Sequence, residues 1–176
     1  MTRHPFASFK PKTLRQAAFF STGASLALGA VLLRMGAGLT TAAAPHGLAS
    51  FELAWRPAAL AAVLASWGDA GVVTARAMTF IDYGFLAAYG LSLASLSLYV
   101  PGASRFPRLA SASAWAATLA AALDAVENAA GLLLLGGRPA SPLCLVQAAC
   151  AAPKFALAGL CLAWVAAGAF IRAPRD

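Results

Sequence analysis

Three side chains in an otherwise apolar stretch have the types and the spacing to do chemistry: Asp124, Glu127 and Asn128, within the run Asp-Ala-Val-Glu-Asn. At i, i+3 and i+4 they share one face of a helix. Two carboxyls and an amide side by side can exchange a proton, hold a cation or hydrogen-bond a polar ligand. The run that carries them, residues 109–135, is long enough to cross a bilayer. Ionisable groups at that depth cost ~2.5–3.5 kcal/mol each on insertion scales, so they turn towards protein and away from lipid. Ser113, Ala117, Ala120 and Gly131 continue the same face, and a stripe of small residues lets a second helix come close. The cluster therefore points into a helix bundle.

Two other apolar runs carry isolated polar residues that could join it. Asp82 lies in the first turns of residues 77–100, with Tyr89 two turns along the same face. In residues 143–171, Gln147, Cys150 and Lys154 share a face, and Pro153 has no N–H to offer the preceding turn. At about 1.5 Å rise per residue, Lys154 falls near the level of Asp124, and Asp82 near Glu127 and Asn128. The expected site is one polar layer built from Asp82, Tyr89, Asp124, Glu127, Asn128, Gln147 and Lys154.

The elements that must hold this layer follow from composition. With 61% hydrophobic residues in 176, the chain has far more apolar side chain than a soluble domain of its size can bury, whereas four spans use it up. The expected fold is all-α: a polytopic membrane protein, a four-transmembrane-helix bundle. Its spans are residues 17–39, 77–100, 109–135 and 143–171, with a retained first span. Residues 1–16 form an unstructured basic arm, carrying Arg3, Lys10, Lys12 and Arg15 without an acid, and 172–176 form a tail. Between spans 1 and 2, Pro57 suits a first helical turn and Gly68 a stop. Residues 57–67 are too short to span, so they are expected to lie at the interface, with Phe51, Trp55 and Trp67 as belt aromatics.

The formal charge of +7 does not call for nucleic acid, because the basic residues sit in tails and short loops. The arm, the 101–108 loop and the tail hold most of them. The positive-inside rule then places both termini in the cytoplasm and the polar layer in the outer half of the bundle. The arm is attracted to anionic headgroups at about 1 kcal/mol per charge. Cys144, Cys150 and Cys161 form no CxxC pattern, lie on one helix and read as small core residues. His4 and His46 fall outside the spans, no phosphate-cradling glycine loop occurs, and Lys154 beside the acids argues against a cation. No metal or cofactor is expected.

The succession Phe51-Glu52, Trp67-Gly68, Asp82 with a nearby tyrosine, Asp124-x-x-Glu127-Asn128 and a lone Lys154 resembles a group of uncharacterised small four-span bacterial inner-membrane proteins. The likeness covers residues 48–160, and the D-x-x-E-N plus lysine combination is its most specific part. The resemblance implies the four-span architecture and a bacterial inner-membrane location, and no particular chemistry.

Three functions suit the layer. It could bind a small or lipid-like ligand, with Asp124, Glu127 and Lys154 as candidates for acid–base catalysis on an isoprenoid or lipid. It could relay protons, cations or a small solute, as transporter or sensor. Or it could be polar glue in a subunit of a membrane assembly, at 0.6–2 kcal/mol per bond. Membrane lipids and a second copy of the chain are the partners to look for. The charge pattern makes a direct prediction. A reporter fused after Arg138 should register outside the cytoplasm and one fused after Arg105 inside it; the reverse would put the polar layer in the inner half.

Overall fold

The computed structural model describes residues 3–138 and 140–171, with nothing of the Ala140 side chain; the tail 172–176 and Pro139 lie outside the described residues. The chain is all-α, and the described residues contain no strand. The helices are α1 (Pro11–Gly36), α2 (Leu48–Glu52), α3 (Pro57–Tyr99), α4 (Gly102–Arg105), α5 (Pro107–Leu135) and α6 (Ala140–Phe170). α1, α3, α5 and α6 are each long and apolar enough to cross a membrane. Phe19, Phe20, Leu26 and Leu33 of α1 are largely exposed, as a surface solvated by lipid would be.

Three of the long helices begin on a proline, whose missing N–H costs nothing at the first position. α1 therefore starts at Pro11, not at residue 17, and the arm is not unstructured. Residues Pro5–Ser8 make a 3-10 turn capped by the His4 side chain. Pro5 and Pro11, which suggest irregular chain in the sequence, instead open two helical segments. Arg34 lies in the last turn of α1, where a cation complements the helix dipole, and is exposed.

α3 runs for 43 residues but is broken at Gly68, whose φ of 59° and ψ of −173° are not helical. An L-residue in the left-handed region costs about 1–2 kcal/mol, which is why glycine stands at the break. The expected short helix 57–67 is thus present, ending where glycine stops it.

Contacts group the chain into two compact units. One comprises the described parts of Met1–Ser25, Ala87–Ala122 and Lys154–Asp176; the other comprises Leu26–Leu86 and Leu123–Pro153. In the first, Leu93, Ala94, Ala114, Ala117 and Cys161 form a core, with Val100, Ala110 and Trp164 beside it. Small residues set the spacing: a Cβ on Gly90 would meet that of Ala121 at 2.8 Å, closer than two carbons can approach. Polar groups here bond within the unit. The Trp164 indole donates to the Ser97 carbonyl (3.0 Å), the Ser97 and Ser113 hydroxyls pair at 2.9 Å, and the Cys161 thiol donates to the Ser113 carbonyl. Cys144, Cys150 and Cys161 are not joined in disulfides.

In the second unit, Leu39, Phe51, Leu60, Val63, Trp67, Met78, Leu134 and Cys144 share one core. Phe51 and Trp67 are therefore not belt residues: they are 1% and 8% exposed, with ring centroids 5.7 Å apart. The indole N–H explains the difference, since it donates to the Leu39 carbonyl at 2.7 Å and so can be buried without loss. Only Trp55 is exposed, with the Arg56 guanidinium over its ring. Leu60 and Val63 face the core, while Ala58 and Ala62 are exposed. Single cysteines at Ala58 and Ala62 should accordingly react with an impermeant maleimide in intact cells, and cysteines at Leu60 and Val63 should not; uniform labelling would mean that residues 57–67 do not pack.

Candidate functional site

Of the seven expected site residues, Asp82, Asp124, Glu127, Asn128 and Gln147 belong to the second unit, and Tyr89 and Lys154 to the first. α5 carries the centre of the site. Its face places Asp124, Glu127 and Asn128 inward, at 3%, 1% and 5% exposure, as their i, i+3, i+4 spacing requires. Val126, on the opposite side of the same turn, is half exposed.

The structure joins Asn128 to α3 directly: its side-chain Nδ2 donates to the Asp82 carboxylate at 2.7 Å. A hydrogen bond to a charged acceptor is worth about 1.5–3 kcal/mol in a protein interior, though cycles in membrane helices average nearer 0.6 kcal/mol. One turn beyond Glu127, Gly131 is buried, and a Cβ there would lie 3.5 Å from the Gln147 amide nitrogen and 3.3 Å from the Phe51 ring. The small residue thus opens the space in which α6 sets Gln147 against α5, with Phe51 of α2 over the same spot. Gln147 is 1% exposed, and its carbonyl oxygen has no hydrogen-bond partner among the described residues.

Three further contacts hold these helices in register. The Arg76 guanidinium donates to the Leu135 carbonyl at the C-terminus of α5 (2.6 Å), and the Tyr83 hydroxyl donates to the Ala125 carbonyl (3.3 Å). The Cys144 thiol donates to the Trp55 carbonyl at 3.3 Å. Arg76 is the residue that spacing does not reveal: it looks like a loop charge and works as a cap on a helix two elements away.

In the first unit, Lys154 is 6% exposed and its ammonium lies 4.9 Å from the Phe155 ring centroid, within cation–π range. Tyr89 packs against the core of Leu93, Ala94 and Ala117. Among the described residues, no group of three or more His, Cys, Asp or Glu side chains is placed to hold a metal ion.

Comparison with protein-family models, with curated proteins and with solved structures gave no match. The chemistry of this chain has to be read from its own side chains.

The Asp82–Asn128 bond can be measured by a double-mutant cycle. Asn128→Ala and Asp82→Ala should each lower unfolding stability in detergent, and the double variant should cost about 0.6–2 kcal/mol less than their sum. A coupling of zero would deny the bond.

Proposed function

We propose that this chain is a multi-pass protein of a bacterial inner membrane, with both termini cytoplasmic, whose buried polar layer in the outer half binds a small or lipid-like ligand. The distribution of Lys and Arg supports the orientation. Arg3, Lys10, Lys12, Arg15, Arg105 and Arg108 fall in one of the two units, which has no Asp or Glu among its described residues. Glu52, Asp69, Asp82, Asp124 and Glu127 fall in the other.

Gln147 carries the ligand reading. A buried carbonyl left without a donor costs about 1–3 kcal/mol, and a ligand hydroxyl or N–H would recover it. The residues around it suit such a ligand: Asn128, bonded to Asp82, and Glu127 precede Gly131 by about one turn on α5, and Phe51 adds an apolar surface beside Gly131. Glu127 and Asp124 supply carboxyls for acid–base work on an isoprenoid or other lipid. Membrane lipids are the natural source of such a molecule, and homo-oligomers would add further surface.

The Asp82–Asn128 bond favours a second reading, in which the polar layer serves only to hold helices together. Gln147→Leu separates the two. It removes the orphan carbonyl at nearly constant volume, so the apo fold should be as stable as the wild type or up to about 1–3 kcal/mol more stable. Under the ligand reading, native mass spectrometry of the purified protein should show a bound small molecule that this variant has lost. A variant with unchanged occupancy, or a wild-type protein that carries nothing, would leave the structural reading.

A further inference from the structure

His4 is 4% exposed, although it precedes every long helix and lies in a strongly basic arm. Each of its polar groups has a partner. The backbone N–H donates to the Ser111 hydroxyl of α5 at 2.7 Å. The ring Nδ1 accepts the backbone N–H of Phe6 at 3.2 Å, capping the 3-10 turn. Nε2 lies 3.2 Å from the Thr118 hydroxyl, about one turn along α5 from Trp115 and two from Ser111. The rings of Phe6 and Trp115 enclose the imidazole edge-on, with centroids at 4.9 and 4.8 Å.

These partners define one protonation state. Nδ1 faces a backbone N–H, which can only donate, so this nitrogen must be without a proton. Nε2 then carries the hydrogen and gives it to Thr118, whose own hydroxyl donates to the Ala114 carbonyl at 3.2 Å. The chain of donors runs in one direction, Phe6 to His4 to Thr118 to Ala114. A second proton, on Nδ1, would set two donors against each other and break the cap.

The surrounding charges do nothing to hold an imidazolium. Arg3 precedes the histidine, its guanidinium donating to the Ala7 carbonyl. Arg108 stands one turn before Ser111 on α5, Lys10 immediately precedes α1, and Lys12 and Arg15 lie at its start. Tyr89 of α3 and Cys161 of α6 share the apolar cluster against which Phe6 packs. No Asp or Glu belongs to the described part of this unit.

We propose that the segment before α1 is a pH-sensitive latch, docked on α5 by neutral His4 and released when that side chain takes up a proton. Burial among rings pushes the His4 imidazole below its usual value of about 6.5. The sign follows by linkage. Between the depressed docked value and about 6.5 the released arm binds more protons than the docked one, so docking strengthens as pH rises and weakens as pH falls. The device would read the pH on the side where the N-terminus lies, independently of what the polar layer binds.

Hydrogen–deuterium exchange on the full-length protein in lipid nanodiscs tests this, through the amides of Phe6, Ala7 and Phe9, after correction for intrinsic exchange. Protection in the wild type should be constant above pH 7.5. It should fall by up to tenfold per pH unit below about 6.5, until the docked value is reached. His4→Gln, which has no titrating group, should show pH-independent protection, whether its arm stays docked or not. Thr118→Val should leave the pH response in place but lower protection throughout, since the Nε2 partner is gone. Constant wild-type protection from pH 7.5 to 5.5, or an equal pH response in His4→Gln, would overturn the proposal.

Discussion

A polar group that leaves water among apolar helices must find its partner inside the protein, and most of what this chain does with its side chains follows from that requirement. The described polar side chains repeatedly bond to a carbonyl, carboxylate or hydroxyl on another element. Trp67 reaches Leu39, Trp164 reaches Ser97, Arg76 reaches Leu135, Asn128 reaches Asp82 and Ser97 reaches Ser113. Each bond fixes the rotation of one helix against another, which apolar packing alone would leave loosely specified. Gln147 and Ser95 stand out because each has an oxygen without a hydrogen-bond partner among the described residues. Ser95 is a hydroxyl that can turn, whereas the Gln147 amide lies beside Gly131 of α5.

The same requirement governs which aromatic residues are buried. Both Trp67 and Trp164 are 8% exposed, and both donate their indole N–H to a backbone carbonyl. Trp55 lies 53% exposed with Arg56 stacked on it. The three indoles have equal hydrophobicity; the availability of a carbonyl in reach decides their place.

The spans were legible because 3.6-residue periodicity and long apolar runs are local properties, and so was the break at Gly68, which a single glycine after an amphipathic turn announces. The inward face of Asp124, Glu127 and Asn128 was legible for the same reason. The partner of Asn128 was not, because pairing with Asp82 depends on how α3 and α5 are rotated together, and 46 residues separate the two. The burial of Phe51 and Trp67 was hidden by the interfacial preference of aromatics, which describes an average and knows nothing of the Leu39 carbonyl. His4 was the largest miss. Basic, proline-containing chain reads as disordered, and the signal that contradicts it is the placement of Ser111, Trp115 and Thr118 along one side of α5, which has meaning only once the arm is seen against it.

The break at Gly68 also sets a length. An unbroken helix from Pro57 to Tyr99, 43 residues long, would measure roughly 65 Å at 1.5 Å per residue. Hydrocarbon is about 30 Å thick, and a helix so much longer would have to tilt steeply or thicken the bilayer around it. By turning the chain at one residue, Gly68 trims α3 to a crossing segment comparable with the 29 residues of α5. The backbone of one residue thereby brings the unbroken length of α3 down to what hydrocarbon can accommodate.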